Sequence, residues 1–232
     1  MPYIVQASPL PKWTYEGKSG PENWGDISSE YITCKKGKFQ SPIDIKNVID
    51  AKLPHLDLVF KSANERLVNN GHTIEIKANS EEEFPLDGET FRLVQYHFHT
   101  PSENTINEKS YPLEAHFVHV DNHGDIAVVA VMFETGKENT ALNPILNAIP
   151  DEVNKEVDIS GRYDLEPLFP KEHSYYRFSG SLTTPPCTEG LRWLVMTDTV
   201  TLSESQLKKF QLALKHSNNR PVQPLNGRII VR

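Results

Sequence analysis

The chain has 232 residues, 38% of them hydrophobic and 24% charged, which suits one large soluble domain or two small ones. Its formal net charge of −7, spread thinly or in short runs such as Ser80 to Phe84, argues against nucleic acid, which needs clustered Lys and Arg. No apolar stretch approaches the roughly 20 residues of a membrane span. The N-terminus MPYIVQASPLPKW lacks the basic and apolar regions of a signal peptide, so the chain is either cytosolic or has lost a leader and gained a Met.

In chain order, prolines and turn residues interrupt the sequence every ten or so positions, with no repeat or linker. Residues 1–12 read as an extended N-terminal arm. Alternating apolar runs predict strands over Leu56–Phe60, His72–Ala78, Thr90–His99, Leu113–Val120 and Asp125–Thr135, and later over Arg192–Thr197. The DNHG stretch, Asp121–Gly124, predicts a hairpin between two of them. Leu202–Ser217 reads as a helix, with Ser203 and Gln206 in capping-box spacing and Leu207, Phe210 and Leu214 on one face. A shorter helix is expected over Thr140–Ile149. The fold class is therefore mainly β, a single domain with short peripheral helices. Two cysteines, Cys34 and Cys187, lie far apart and outside any metal-type spacing. The sequence alone leaves two buried thiols and one disulfide equally open.

Two histidines one residue apart, His97 and His99, stand inside the apolar run FRLVQYHFH. Strand residues two apart share a face, so both imidazoles and Gln95 project together, with Arg92, Val94, Tyr96 and Phe98 on the other face. On LEAHFVHV, Glu114, His116 and Val118 share one face, and His119 takes the opposite one. An antiparallel pairing brings His116 opposite the His97/His99 pair. Three neutral imidazoles with an open fourth position form the arrangement of catalytic zinc. Gln95 and Glu114, each two residues before a ligand on the same face, suit acceptors of the second ring N–H. His55, His123, His173 and His216 read as loop or helix-surface residues, and His119 as structural. A cupin site would make Glu103 a fourth ligand of iron or manganese. That pattern wants glycines where Phe91 and Ser110 stand, so it falls a distant second. No HExxH protease motif is present. The loop FSGSLTTPPCTEGLRW pins hydroxyls and backbone N–H groups beside two prolines, although taken by itself it reads better as a simple turn.

Taken together, QYHFHTPSE, LEAHFVH, GSLTTPPCTEG, NNGHT, QSPIDI and NNRPVQPL resemble an α-class carbonic anhydrase of the bacterial type, in order from about Trp13 to Arg228. The resemblance implies a large twisted, mostly antiparallel sheet of about ten strands, with zinc at the base of a cone-shaped cleft. It implies reversible hydration of carbon dioxide to bicarbonate through a zinc-bound hydroxide. His97, His99 and His116 would hold one Zn2+ per chain, with Gln95, Glu114 and the carbonyl of Asn218 behind them. Thr183 would accept from the hydroxide and donate to an ionised Glu103, and Thr184 would contact bicarbonate. Val118, Val128, Leu182 and Trp193 would form a dry wall for CO2. His72 would shuttle the proton outward, with Tyr15 and Asn70 ordering the connecting waters. The resemblance also favours a Cys34–Cys187 disulfide and, with it, a periplasmic or secreted protein over a cytoplasmic one. Sulfonamides and anions are the expected inhibitors. Bacterial members are often homodimers, and the assembly stays open. Three departures carry expectations. Asn104 replaces a usual histidine and should loosen the local hydrogen bonding. Phe178 replaces a tyrosine and removes a hydroxyl from the support of Thr183. Glu75, beside the cleft, should raise the pKa of His72.

Overall fold

The apolar runs in the middle of the chain become the centre of one ten-stranded sheet in the computed structural model, which describes residues 11–59, 65–78, 83–159 and 164–232. The elements begin with α1 (Trp24–Ile27) and α2 (Thr33–Lys36), followed by β1 (Asp44–Ile45), β2 (Arg66–Asn69), β3 (Ile74–Lys77) and β4 (Glu83–Leu86). Next come β5 (Glu89–His99), β6 (Thr105–Ile106), β7 (Leu113–Val120), β8 (Ile126–Thr135) and α3 (Leu142–Ala148). The order closes with β9 (Glu156–Asp158), β10 (Tyr175–Ser181), β11 (Glu189–Met196), β12 (Val200–Leu202) and α4 (Glu204–Leu214).

Across the sheet the strands run β10-β11-β8-β7-β5-β3-β2-β9, with β12 also on β8 and β4 also on β5. Both β11 and β12 pair with β8 in parallel, and the other pairings in this sheet are antiparallel. The β7–β8 hairpin turns at the predicted DNHG stretch. Asp121 Oδ1 accepts from the N–H of His123 at 2.8 Å and of Asp125 at 2.9 Å, and Gly124 supplies a φ of +88°. Strand β7 is buried from Leu113 to His119 because apolar material covers both faces of the sheet. One layer joins Tyr96, Phe98, Phe117, Val129 and Val131 to α3 and α4, with Phe98 and Phe210 rings 4.7 Å apart. The opposite layer holds Val118, Val128, Ala130, Met132, Phe178, Trp193 and Val195.

Helix α4 starts as its sequence predicts. Ser203 Oγ accepts from Gln206 N at 3.2 Å, and Gln206 Oε1 accepts from Ser203 N at 3.0 Å. It stops at Leu214, short of the expected Ser217, because Lys215 turns into the left-handed region at φ 65°.

Two expectations need correction. The strand expected from Leu56 does not form over Leu56–Val59: Leu58 N bonds back to Leu56 O at 3.0 Å, and buried Leu56 anchors an irregular segment to the core. Phe60, Ser80–Glu82 and residues 1–10 lie outside the described residues. The second correction concerns β5, where strict alternation fails. From Leu93 to Gln95 the partner on β7 advances only from His119 to Val118, so Val94 is a bulge residue, 43% exposed. Phe91 and Leu93 before it, and Tyr96 and Phe98 after it, all face the same core. Arg92 and Val94 therefore do not share the buried face of Tyr96 and Phe98.

Candidate metal centre

Strand register builds the site. In the antiparallel β5–β7 pair His97 lies opposite His116, and His99 lies opposite Glu114. The bulge at Val94 turns Gln95, His97 and His99 away from the core that takes Tyr96 and Phe98. The imidazoles of His97, His99 and His116 each place a ring nitrogen within 4.8 Å of the others. Their ring centroids are 5.0 Å (His97–His99), 5.3 Å (His97–His116) and 4.5 Å (His99–His116) apart.

Each ring is held from behind. His97 Nδ1–H donates to Gln95 Oε1 at 2.8 Å, and His99 Nδ1–H donates to the Asn218 carbonyl at 2.7 Å. His116 Nε2 lies 2.9 Å from Glu114 Oε1, at contact distance though outside hydrogen-bond alignment. The nitrogens left for the common centre are Nε2, Nε2 and Nδ1 respectively. Burial first, and then neighbouring imidazoles, holds His97 and His116 well below the usual histidine range, and burial lowers His99. The neutral ring is the form that ligates a metal. His99 Nε2 and Glu103 Oε2 are buried without a hydrogen-bond partner among the described residues. A cluster of neutral donors with orphaned polar atoms fits a dication.

The carboxylates behind the rings are themselves fixed. Glu114 Oε2 accepts from Glu103 N at 2.7 Å and Asn104 N at 2.9 Å, and its Oε1 accepts from Asn104 Nδ2 at 2.7 Å. Asn104 Oδ1 accepts from Ile43 N at 3.0 Å, so this fully buried amide spans two segments. The loosening expected from Asn104 does not occur: its short side chain reaches Glu114 directly. Glu103 Oε1 accepts from Arg220 N at 2.9 Å, and the Thr183 hydroxyl donates to the same carboxylate. Burial pushes Glu103 up to about 8, partly offset by those two bonds.

The Thr183 loop is seated by sequence-distant partners. Ser41 N donates to Ser181 Oγ at 2.8 Å and Ser181 N donates back to Ser41 Oγ at 3.1 Å. Gly180 permits that approach, since a Cβ there would stand 2.2 Å from Ser41 Oγ. Cys187 follows at φ 57° and bridges to Cys34. Val118, Val128 and Trp193 line up across adjacent strands, and half-buried Leu182 packs against the same cluster. Trp193 also meets His116 edge-on at 4.9 Å. Phe178 stacks parallel to Trp193, so the ring without a hydroxyl joins the apolar wall. Thr184 is half-buried, and its carbonyl accepts from Cys187 N at 2.9 Å.

His72 sits at the edge of this site, stacked on Trp13 with centroids 3.8 Å apart. Asn70 Oδ1 accepts from the N–H of His72 and of Thr73, both at 2.9 Å, so that oxygen is engaged in shaping the turn. Burial, then His216, lowers the pKa of His72. Glu75 was expected to raise it. Its carboxylate is instead held by Asn70 Nδ2 at 3.4 Å and is itself pushed up by burial. The Tyr15 hydroxyl is held well above its ordinary value by burial and then by Glu103. Sequence reasoning missed Trp13 and Arg220. The Arg220 guanidinium is buried and donates to Gln40 Oε1, Ser41 O and Cys34 O at 2.9, 2.8 and 3.0 Å. A lone Arg beside a proline carries no such signal without its partners.

Fold and site together define a protein that carries, on a mixed β-sheet, a cluster of three imidazoles that could hold a metal ion. Residues 19–232 match the eukaryotic-type carbonic anhydrase family. A carbonic anhydrase of Klebsiella pneumoniae is 47% identical over all of this chain and 94% of its own length. One from Pectobacterium carotovorum is 46% identical over 99% of this chain and 94% of its own length. Among solved structures, the α-carbonic anhydrase of Thermovibrio ammonificans in complex with sulfanilamide has a TM-score of 0.93 and 47% identity, covering 96% of this chain and 99% of its own. The chain belongs to the α-carbonic anhydrase family, zinc enzymes whose general reaction is the reversible hydration of carbon dioxide.

Proposed function

We propose that this single-domain chain hydrates CO2 at one zinc ion held by His97, His99 and His116. The observation that carries this reading is the convergence of three neutral ring nitrogens within 4.8 Å, each ring backed by its own acceptor. When bound, zinc supplies Lewis acidity that brings a coordinated water to a pKa of about 7, the value known for carbonic anhydrase itself.

The chain's own residues do the rest. Gln95, the Asn218 carbonyl and Glu114 fix ring tautomer and orientation. Thr183 would donate its hydroxyl hydrogen bond to Glu103, which leaves the Thr183 oxygen to accept from the nucleophile and so orient the nucleophile's lone pair toward CO2. This requires Glu103 ionised, and an adjacent dication favours that form against the burial that raises it. The Thr183 N–H polarises a CO2 oxygen, and Thr184 contacts bicarbonate. The wall of Val118, Val128, Leu182 and Trp193 holds an apolar gas and excludes water. His72 passes the proton to buffer, with Tyr15 and Asn70 beside the path. The disulfide supports a periplasmic or extracellular location. Sulfonamides are the expected inhibitor class, as in the Thermovibrio complex.

The test is stopped-flow CO2 hydration by the zinc-loaded protein beside Thr183→Ala. Orienting groups of this kind are worth about 10²-fold or more in rate, so the variant should lose that much with its zinc content unchanged. Equal rates would contradict the assignment of Thr183.

A further inference from the structure

The residue that reaches the His72 turn from α4 is His216, half-buried just past the helix end. Its Nδ1 lies 3.0 Å from the Ser217 carbonyl and its Nε2 lies 3.2 Å from the Gly71 carbonyl. A carbonyl oxygen only accepts, and a neutral imidazole offers a single N–H. Only the imidazolium can satisfy both contacts. The C-terminal end of a helix also favours a cation. We propose that His216 is a positioning residue for proton transfer, its doubly protonated ring clasping the Gly71 and Ser217 carbonyls and so holding the turn that presents His72. This rests on the reading of His72 as the proton shuttle.

The surroundings support it. The turn is tied to the same helix end a second time, by Asn69 Nδ2 donating to Ala213 O at 3.2 Å. Gly71, at φ +84°, is fixed from its other side by Asn69 Oδ1 at 3.0 Å. Tyr15 lies between the two imidazoles, 5.9 Å from the His216 ring and 6.4 Å from the His72 ring. The groups that face His216 are His72 and Tyr15 on one side. On the other, Lys209, Lys215 and Asp151 share with it a cavity of about 590 Å³ between α3, α4 and the turn. Glu75 reaches the turn only through Asn70. Burial is the larger cause of the lowered pKa of His72, and a cation on His216 adds to it by disfavouring a second one nearby. With both carbonyls clasped, the cationic ring keeps the neighbouring shuttle neutral and ready to accept.

The experiment compares zinc-loaded wild type with His216→Gln and His216→Ala, following the His72 ring by NMR titration and CO2 hydration by stopped flow. Glutamine keeps one donor and no charge. The apparent pKa of His72 should rise by about half a unit in both variants, and the acid limb of the kcat profile should move with it. The ratio kcat/KM, which reports the CO2 step, should hold. In a His72→Ala background the kcat effect of His216→Gln should vanish. Superimposable His72 titrations would overturn the proposal. A shifted titration with an unmoved kcat profile would leave the electrostatic clasp standing and refute proton shuttling by His72. Absence of hydration in the wild type would instead remove the function, with the titration still reading the clasp.

Discussion

At the scale of single residues, the site depends on side chains that never touch the metal position. Asn104 donates to Glu114, accepts from Ile43 N and thereby sets the carboxylate behind His116. Asn104→Ala leaves a buried carboxylate short of one charge-assisted bond and a buried N–H unsatisfied. It should destabilise the protein by about 2–3 kcal/mol and weaken zinc affinity about 10–100-fold, measured by denaturant titration and competition with a chelating dye. Unchanged zinc affinity would refute this account of Asn104. A second buried carboxyl, Glu65, is 2% exposed, accepts from the Tyr96 hydroxyl and is pushed up from 4.5 to about 7 by burial. Below pH 4.5 both folded and unfolded chains hold this proton, and the group takes nothing from stability. Between there and about 7 the unfolded chain releases it first, so stability falls as pH rises. Glu65→Gln should therefore raise stability at pH 8 by up to about 3 kcal/mol, with little gain near pH 4.5, read as the difference in Tm by calorimetry. A gain independent of pH would contradict it. Neither residue could be read this way from sequence, because each role depends on a partner far along the chain. The clustering of the three histidines was readable, because strand spacing puts His97 and His99 on one face and the expected antiparallel pairing brings His116 opposite them.

At the scale of elements, the bulge in β5 brings two apolar runs of opposite phase onto one core face and leaves the histidines on the other. Apolar Phe91 and Leu93 occupy odd positions, whereas Tyr96 and Phe98 occupy even ones, yet all four face one core. That change of phase is visible in the sequence, and simple alternation overlooks it. Deleting Val94 would remove the extra residue and leave Phe91, Leu93, Tyr96 and Phe98 in one strict alternation, with Gln95, His97 and His99 still together on the opposite face. The deletion should therefore keep zinc binding, and Val94→Thr, at a 43% exposed position, should leave zinc content and Tm within a degree or so of wild type. A deletion variant that folds and binds no zinc would refute the reading of Val94 as the one extra residue of the strand. The β7–β8 hairpin and the capped start of α4 were legible because turn and capping chemistry are local. The early stop of α4 depends on a left-handed Lys215, for which no residue pattern gives warning.

At the scale of the whole molecule, the Thr183 loop is assembled from three distant stretches. Cys34 and Cys187, 153 residues apart in sequence, join the segment before Gln40 to the loop. Arg220 bonds to the Cys34 carbonyl, Gln40 and Ser41, while its own N–H holds Glu103. Reduction should thus both destabilise the fold, by up to about 5 kcal/mol on the chain-entropy view, and loosen the catalytic loop. The expected result is a lower Tm in dithiothreitol, with hydration activity lost at temperatures below the new Tm. Activity that follows global unfolding alone would refute the link to the loop. This long-range assembly escaped composition and periodicity. Only the resemblance to a family paired Cys34 with Cys187 in advance, and it did not reach Arg220.

The most direct measurement is stopped-flow CO2 hydration on the purified protein as isolated, after its metal is stripped, and after one equivalent of zinc is restored. The account predicts fast hydration that disappears on stripping and returns with zinc. Sustained hydration by the stripped protein, or none from the fully zinc-loaded one, would contradict it.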